Sequence, residues 1–374
     1  MVAQGALGLR LAQYRANQLD IYERGMLRNE YPRVTTETAR IVEQAKQHLS
    51  AAAFNYAFVF IILVSADTLD FMASQIGVQS IFHPDKETGL AAVCSELSIP
   101  FVLSTAATST IEEVAQHSGP GPRWYQLYWP TDDEITISLL QRARAANYSA
   151  LVVTVDTWTA AWRPLDLDRG YLPMIAGVGN QVAFSDPVFR RKFRDAYGKE
   201  VEADIPRASR MWLQMIISGV ASTWERLPFL RQHWDGPIIL KGIQHPDDAR
   251  AAVRAGCDGI IVSNHGGRQL DGAVGSLEML PSIVEAAGDS LTVLFDSGVR
   301  TGADILKALC LGAKGVLVGR PVIAGYAIAG MTGKEGAKEV LLGLLTDLDR
   351  SMGLAGVPSL KACTPAVLKA RSML

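Results

Sequence analysis

Short runs of apolar and β-branched residues recur along the chain, and stretches with helical signals separate them. Seven runs have the continuous apolar character of strands that are buried on both faces. These runs are Phe101–Ser104, Trp124–Tyr128, Leu151–Val155, Ile238–Lys241, Gly259–Ser263, Leu291–Asp296 and Gly315–Gly319. Helices are predicted after these strands. Two begin at the N-caps Thr110 and His245, one begins at Asp132, and two span Ser276–Ala287 and Thr301–Leu311. The pattern predicts repeated βα units.

An eighth unit completes a recognisable architecture. Ile76-Gly77-Val78 is the candidate for the missing strand, and eight βα units predict an α/β fold of the (β/α)8 TIM-barrel type. An open doubly wound sheet is the alternative. It is disfavoured because no GxGxxG motif opens the first unit and because polar residues end so many strands.

Two regions depart from this even rhythm. Residues 157–236 form a long insertion after the fourth strand, which predicts a lid or a subunit contact. Residues 1–56 are predicted to form a helical cap, in which Ile41, Ala45 and Leu49 share one face. We therefore expect a single domain over residues 1–374, since α/β barrels often reach this length as one unit.

Composition narrows the class of protein. The 374 residues are 48% hydrophobic and 20% charged, as in a globular enzyme with a large core. The net charge of −2 provides no basic field, so neither nucleic acid nor an anionic membrane is an expected partner. The four cysteines are widely spaced and form no CxxC motif, which predicts free thiols in a reducing compartment and no metal site.

One apolar segment is relevant to the location of the protein. Residues 51–66 are nearly all apolar, but they are fewer than the ~20 that a spanning helix needs, and Asn55 interrupts them. No signal peptide is visible at the N-terminus. We therefore expect a cytoplasmic protein without a membrane anchor.

Polar residues stand at the ends of seven consecutive predicted strands. They are Ser104 and Thr105, Gln126 and Tyr128, Thr154 and Asp156, Lys241, Ser263 to Arg268, Asp296 to Arg300, and Gly319 with Arg320. In a barrel the carboxyl ends of the strands converge on one face, which is where catalysis takes place. A purely structural role is hard to defend, because a buried polar group is unfavourable unless it is partnered.

The last two strand ends have the features of a phosphate site. Asp296–Gly302 follows the seventh strand and opens a helix, and Gly319-Arg320 follows the eighth. Barrels commonly bind phosphate at these two loops, and two guanidinium groups suit a dianion. The alternative, that Arg300 and Arg320 are ordinary surface arginines, fits their positions less well.

The loop after the sixth strand combines a base with an anion clamp. His265 and Arg268 stand three residues apart around Gly266-Gly267, and glycines allow backbone to pass close to a flat ligand. Imidazole titrates near neutral pH, which suits a general base. The alternative of a structurally satisfied core histidine fits this Gly-Gly-Arg context poorly.

Taken together, six blocks of sequence resemble the FMN-dependent α-hydroxy-acid oxidising family. They are Leu103–Thr105, Trp124–Tyr128, Val153–Thr157, Leu240–Gly242, Ser263–Gln269 and Phe295–Arg300, within a resemblance that covers residues 77–345. The resemblance implies FMN as cofactor and an oxidoreductase that acts on the CH–OH group of 2-hydroxy acids. The implied FMN contacts are Ser104, Thr105, Gln126, Thr154, Lys241, Ser263, Asp296, Gly298, Arg300, Gly319 and Arg320.

The resemblance also implies roles in substrate binding and catalysis. His265 would act as the base, and Asp156 would orient it and stabilise the imidazolium. Tyr128 would hydrogen-bond the α-oxygen of the substrate. The substrate carboxylate would be bound by Arg163, Arg268 and the N-terminal tyrosine of the family, whose place Tyr56 takes.

The loop after Asp156 indicates a branch of the family. Trp158–Leu167 is unlike the Gly-Arg-Arg-Glu-type loop of glycolate-oxidising relatives. Together with Ser185–Phe189 and Lys241–Ala249 it is most similar to lactate 2-monooxygenase. That similarity implies that O2 and L-lactate give acetate, CO2 and water in a homo-oligomer, a tetramer or an octamer. The alternative is an oxidase that releases a pyruvate-type keto acid and H2O2.

Residues 57–76 depart from the family. The glycine-rich turn and the Pro-Arg element expected after Tyr56 are missing, and Ser74-Gln75 replaces the flavin-contacting proline. The first barrel strand is therefore expected to be shortened or degenerate. This leaves an inactive barrel, kept for scaffolding or sensing, as a further alternative. A nucleotide-oxidising barrel is the weakest, because the catalytic cysteine loop that it needs is not found.

Overall fold

A computed structural model of the chain shows eight parallel strands that close into a barrel in sequence order, β1 to β8. The structure describes residues 22–30, 71–73, 75–168, 170–326 and 333–368. The strands are β1 Phe71–Ala73, β2 Phe101–Ser104, β3 Arg123–Leu127, β4 Ala150–Thr154, β5 Ile238–Ile243, β6 Gly259–Val262, β7 Thr292–Asp296 and β8 Gly315–Val318.

Helices follow the strands around the outside of the barrel. They are α1 Lys86–Glu96, α2 Ile111–Ser118, α3 Asp133–Ala145, α4 Pro164–Asp168, α5 Gln181–Phe184, α6 Pro187–Tyr197, α7 Ile205–Ile216, α8 Leu227–His233, α9 Pro246–Arg254, α10 Ser276–Ala287, α11 Gly302–Cys310, α12 Arg320–Tyr326 and α13 Gly333–Leu354. The predicted (β/α)8 barrel is confirmed. The open sheet is wrong, because β1 pairs with β8 as well as with β2.

The first strand differs from the prediction. Ile76–Val78 is not a strand; β1 is Phe71–Ala73, inside the segment predicted to be shortened. Val78 has a φ of 58°, which is incompatible with an extended strand. Phe71, Met72 and Ala73 pair with Val316, Leu317 and Val318 of β8, and Ala73 also pairs with Phe101 of β2. The apolar residues before β1 lack turn signals, so the sequence pattern does not locate its start.

The interior of the barrel is filled by one layer of apolar side chains. The layer is Met72, Val102, Ala150, Val152, Ile239, Ile261, Leu294 and Leu317, with Trp124 packed against it. A second, larger core lies between the strands and the helices. Because side chains alternate between the two faces of a strand, the residue two positions beyond each interior residue also points inward, nearer the carboxyl end.

The predicted helix starts are confirmed by their caps. The Thr110 hydroxyl accepts the N–H of Glu113, whose carboxylate accepts the N–H of Thr110 in return. His245 Nδ1 accepts the N–H of Asp247 at 3.2 Å. These contacts satisfy N–H groups that a helix leaves unpaired in its first turn.

The insertion over residues 157–236 folds into helices α4 to α8, linked by 3-10 turns. Within the insertion, the side chains of Phe189, Phe193 and Trp212 are fully buried. Asp186 caps α6 through the N–H groups of Val188 and Phe189. The same carboxylate also accepts the Ser138 hydroxyl of α3 at 2.7 Å. The insertion is thus packed on α3, and its role as a lid or a subunit contact stays a prediction.

Other predictions meet the structure only in part. Of the predicted cap over residues 1–56, the structure describes 22–30, where 22–28 are helical. Within the described ranges no helix is both long and apolar enough to cross a membrane. All four cysteines are free, Cys94 and Cys310 buried and Cys257 and Cys363 half-buried.

Candidate active site

The site lies directly above the apolar layer of the barrel. Two positions beyond the interior residues, six strands present buried polar side chains, and the eighth presents a glycine. These positions are Ser104, Gln126, Thr154, Lys241, Ser263, Asp296 and Gly319. All seven are residues that the sequence predicts to contact FMN. The period of two along each strand therefore brings them to one face of the barrel.

Neutral groups form a hydrogen-bonded row across the ends of β2, β3 and β4. The Ser104 hydroxyl donates to Gln126 Oε1 at 3.1 Å, and Gln126 Nε2 donates to Thr154 Oγ1 at 2.9 Å. Thr105 lies behind this row, and its hydroxyl donates to the carbonyl of Gln126 at 2.6 Å. The row is buried and its orientation is fixed, which suits the polar edge of a flat ligand.

A buried cation stands beside this row. Lys241 Nζ donates to Ser263 Oγ at 3.0 Å and lies 3.3 Å from Asp296 Oδ2 and 3.9 Å from Asp156 Oδ2. Burial acts to lower the pKa of Lys241, but the two carboxylates outweigh it and hold that pKa above its ordinary value. Lys241 is therefore an ammonium group despite being 3% exposed.

His265 and Asp156 form a short contact. His265 Nδ1 lies 2.7 Å from Asp156 Oδ1, and the Thr157 hydroxyl lies within 3.0 Å of both atoms. Burial acts to raise the pKa of Asp156, but Lys241, His265 and Thr157 together lower it to about 2. A carboxylate can only accept, so the proton of a neutral His265 is on Nδ1 and the lone pair is on Nε2.

The charge of His265 follows from its surroundings. Burial and the nearby Lys241 charge lower the pKa of His265 below its ordinary value, although Asp156 opposes them. The imidazole is therefore neutral at pH 7. A neutral imidazole held by a carboxylate is prepared to accept a proton at Nε2.

The backbone explains the two glycines of this loop. His265, Gly266 and Gly267 have successive φ values of 58°, 67° and 71°. Glycine adopts this left-handed region without strain, whereas other residues rarely do. The turn is fixed by Asn264 Oδ1, which accepts the N–H of Gly267, and by Ser263 Oγ, which accepts the N–H of His265.

Gly242 permits a close approach to Asp156. Its φ is 107°, and a Cβ placed there would lie 2.7 Å from Asp156 Cβ. The register of β5 against β6 shifts at the same point, between Lys241 and Ile243. Lys241, directly before Gly242, has its Nζ 3.9 Å from Asp156 Oδ2.

The two arginines are connected through the His265 loop. Arg163 Nε donates to the carbonyl of Arg268 at 3.0 Å, and its Nη2 donates to Gln269 Oε1 at 2.8 Å. Arg268, which is exposed, pairs with Asp166 at 3.1 Å. Burial raises the pKa of Tyr128 above its ordinary value, although the positive charges of Lys241, Arg163 and Arg268 act to lower it. Tyr128 is therefore a protonated donor beside cationic groups.

The ends of β7 and β8 are more open. Gly298 has a φ of 84°, and a Cβ there would meet nothing within 4 Å. Arg300 is exposed, and its Nη1 donates to the adjacent carbonyl of Val299 at 2.8 Å. The Arg320 side chain and all of Tyr56 lie outside the described residues, so their predicted roles stay predictions.

The residues present fit FMN. Asp156 Oδ2 is buried, and within the part of the chain that the structure describes it accepts no hydrogen bond. The neutral row and Lys241 suit a flavin ring, and the open positions at Gly267 and Gly298 leave room in front of two loops. Arg300 and the N-terminus of α11 suit a phosphate.

Three residues of the network carry no predicted role. Thr157 contacts both His265 and Asp156, and Gln269 Nε2 donates to the carbonyl of Asp156 at 2.8 Å. Asp166 pairs with Arg268. Thr157 and Gln269 directly follow predicted site residues in sequence, and that adjacency was the available signal. The pairing of Asp166 depends on the fold of α4, which has no such signal.

Comparisons with known proteins agree with this geometry. A family model described as FMN-dependent dehydrogenase matches residues 68–370, which extends beyond both ends of the predicted resemblance. The chain is 59% identical to the FMN-dependent alpha-hydroxy acid dehydrogenase qulF of Penicillium citrinum over 288 residues, covering 77% of this chain and 70% of that protein.

More distant relatives include an oxidase and a solved structure. Identity to the L-lactate oxidase of Lysinibacillus sphaericus is 38% over 290 residues, covering 76% of this chain and 71% of that protein. A crystal structure of mandelate oxidase superposes with a TM-score of 0.66 at 31% identity, covering 88% of this chain and 97% of that chain.

Proposed function

Because the chain belongs to the FMN-dependent dehydrogenase family, we propose that it oxidises the CH–OH group of an L-2-hydroxy acid, with L-lactate as substrate and O2 as acceptor. The observation that carries the proposal is the 2.7 Å contact between His265 Nδ1 and Asp156 Oδ1 beside the buried Lys241. Family membership confirms the predicted family, the FMN cofactor and the oxidoreductase class.

Specific residues would hold the cofactor. Ser104, Thr105, Gln126 and Thr154 would bind the polar edge of the isoalloxazine ring, with Lys241 beside it. Gly298, Arg300, Gly319 and Arg320 would bind the phosphate, with Ser263 and Asp296 between the two parts. When bound, FMN would accept two electrons and one of the two protons that the CH–OH group of the substrate loses.

The residues of the chain would bind the substrate and move its proton. Arg163 and Arg268, with Tyr56 added, would bind the carboxylate, since guanidinium groups match its two oxygens. The Tyr128 hydroxyl would donate to the α-oxygen. His265 Nε2 would take the proton released as CH–OH becomes C=O, and Asp156 would stabilise the imidazolium.

The fate of the product separates two versions of the proposal. In the lactate 2-monooxygenase version, O2 reacts before pyruvate leaves and gives acetate, CO2 and water. The long insertion supports this version because a segment that covers the site helps to retain an intermediate. In the oxidase version pyruvate leaves and H2O2 is released. The relative named L-lactate oxidase favours this second candidate.

An anaerobic reduction experiment tests the proposal. The purified protein is loaded with FMN, and its visible spectrum is recorded before and after L-lactate, with D-lactate as the control. We expect the flavin bands to bleach with the L-isomer alone. Product analysis under O2 then distinguishes acetate from pyruvate plus H2O2. A protein that cannot be loaded with FMN, or one that is not reduced by any L-2-hydroxy acid, would support the inactive barrel instead.

The proposal includes a cytoplasmic homo-oligomer. Four free thiols support a reducing compartment. Light scattering on the purified protein tests for a tetramer or an octamer, and a monomeric mass would contradict this part alone.

A further inference from the structure

We propose that Glu87 is a positioning residue for FMN, which it holds in place through the two loops that follow β1 and β2. This inference rests on the FMN site of the proposed function and not on its substrate. The juxtaposition that carries it is one buried carboxylate bonded to both loops.

Glu87 lies in the first turn of α1 and is fully buried. Its Oε1 accepts the N–H of Gln79 at 3.0 Å and the N–H of Thr108 at 2.9 Å. Its Oε2 accepts the hydroxyls of Thr108 at 2.7 Å and Ser109 at 2.9 Å. All four donors are neutral, so directional hydrogen bonds stabilise the buried carboxylate. The carboxylate in turn fixes the positions of the four donors.

The contacts lead from Glu87 to the predicted flavin edge. Thr108 and Ser109 end the loop that begins at Ser104. Within that loop the N–H of Ala106 donates to Ser104 Oγ at 3.1 Å, and Ser104 in turn contacts Gln126. Glu87 therefore anchors the far end of the segment whose near end carries the neutral polar row.

The other loop is held by the same carboxylate. Val78 is β-branched yet has a φ of 58°, a conformation that persists only when its surroundings impose it. The Val78 N–H donates to the Ala106 carbonyl at 2.8 Å, and the next residue, Gln79, donates to Glu87. A Cβ at Gly77 would lie 2.6 Å from the Ala106 carbonyl oxygen, so the two loops are in direct contact.

The position of these loops explains why FMN is the affected ligand. In the closed barrel, β1 lies between β2 and β8, and the ends of those two strands carry the predicted FMN contacts Ser104 and Gly319. A strained turn between them is expected to form one wall of the cofactor site. Glu87 adds a second connection between the two loops, beside the hydrogen bond from the Val78 N–H to the Ala106 carbonyl.

The substitution Glu87→Gln tests the role. The amide keeps one acceptor oxygen for the two N–H groups, but it removes the negative charge and replaces the oxygen that accepts the Thr108 and Ser109 hydroxyls with an NH2 donor. The matched control is Asp186→Asn: Asp186 is equally buried and accepts four hydrogen bonds, but none of its donors belongs to either loop. Apoprotein melting temperature and the FMN dissociation constant are measured for both.

We expect both substitutions to lower the melting temperature and only Glu87→Gln to weaken FMN binding, by about tenfold or more, and to alter the visible spectrum of the bound flavin. An unchanged dissociation constant, or equal weakening by Asp186→Asn, would overturn the inference. If Glu87→Gln does not fold, Thr108→Val replaces it, because this substitution removes one hydroxyl donor to Glu87. Its FMN dissociation constant is then compared with that of Asp186→Asn, with the same two outcomes.

The FMN dissociation constant is measured in the absence of substrate. A wild-type protein that binds FMN but oxidises no 2-hydroxy acid would therefore refute the proposed function and leave this test intact.

Discussion

The two sides of the barrel mouth are organised differently. At the ends of β4, β5 and β6, the groups Asp156, Lys241 and His265 are largely buried, lie within 4 Å of a partner, and have shifted pKa values. At the end of β7, Gly298 faces open space, and the guanidinium of the exposed Arg300 donates to the neighbouring carbonyl of Val299.

This difference separates chemistry from binding. Proton transfer needs a base of defined orientation and pKa. The contacts of His265 with Asp156 and Thr157 set its orientation, and burial, Lys241 and Asp156 set its pKa, without a ligand. A phosphate brings its own charge and acceptors, so the groups that bind it can remain solvated until then. Substitutions on the first side should therefore affect the rate of flavin reduction, and substitutions on the second should affect FMN affinity.

The largest expected effect is that of His265→Gln. Removing the base should slow the reduction of bound flavin by L-lactate about 10³- to 10⁴-fold, the upper range for general-base catalysis, with FMN still bound. Anaerobic stopped-flow absorbance measures the rate, and a flavin titration checks occupancy. Reduction at the wild-type rate would refute the role of His265 as base.

Asp156→Asn should slow reduction roughly 10²-fold and also shift its pH dependence. In the wild-type protein the rate should fall only as the pH drops below the ordinary pKa of histidine, because burial and Lys241 lower the pKa of His265. Asp156 opposes that lowering, so its loss should move the acid limb to still lower pH. Rate profiles of the two proteins between pH 4 and 8 (roughly the histidine range) measure the shift, and a shift to higher pH would contradict this account.

Gly242→Ala sharpens the comparison by moving Asp156 without altering its chemistry. The new Cβ would meet Asp156 Cβ at 2.7 Å at a φ of 107°, so both strain and displacement are expected, with a loss of about 1–3 kcal/mol in the free energy of unfolding and slower reduction. Gly256→Ala is the control, since its φ is 72° but its Cβ would meet nothing within 4 Å. Chemical denaturation and stopped-flow absorbance should show the strain in both and the rate loss in Gly242→Ala only.

The smallest effect is expected on the open side. Arg300→Gln should weaken FMN binding about tenfold, or about 1.4 kcal/mol, and leave the reduction of bound flavin unchanged. Lys314→Gln, an exposed cation at the start of β8, is the matched control. Fluorescence titration with FMN measures the affinity. A slower reduction in Arg300→Gln at full occupancy would break the distinction between the two sides.

The sequence predicts much of this arrangement, for identifiable reasons. Strands buried on both faces read as apolar runs, and an alternation of two places Ser104, Gln126 and Lys241 on one face. The prediction of the first strand at Ile76–Val78 is wrong, because that segment enters a turn. The bulge at Gly242 and the turn at Val78 depend on tertiary contacts with Asp156 and Ala106, so no local propensity indicates them.

The contact of Glu87 with two loops has a thermodynamic consequence. A closed ring of strands can open between two neighbouring strands, and the loops that follow β1 and β2 are the two that Glu87 connects. Opening there would separate the loops that Glu87 connects, so a cofactor that binds only the closed ring would favour closure by linkage. Amide hydrogen exchange in Phe71–Ala73 and Phe101–Ser104 should therefore slow when FMN binds. The cofactor would then stabilise the closed barrel in addition to oxidising the substrate.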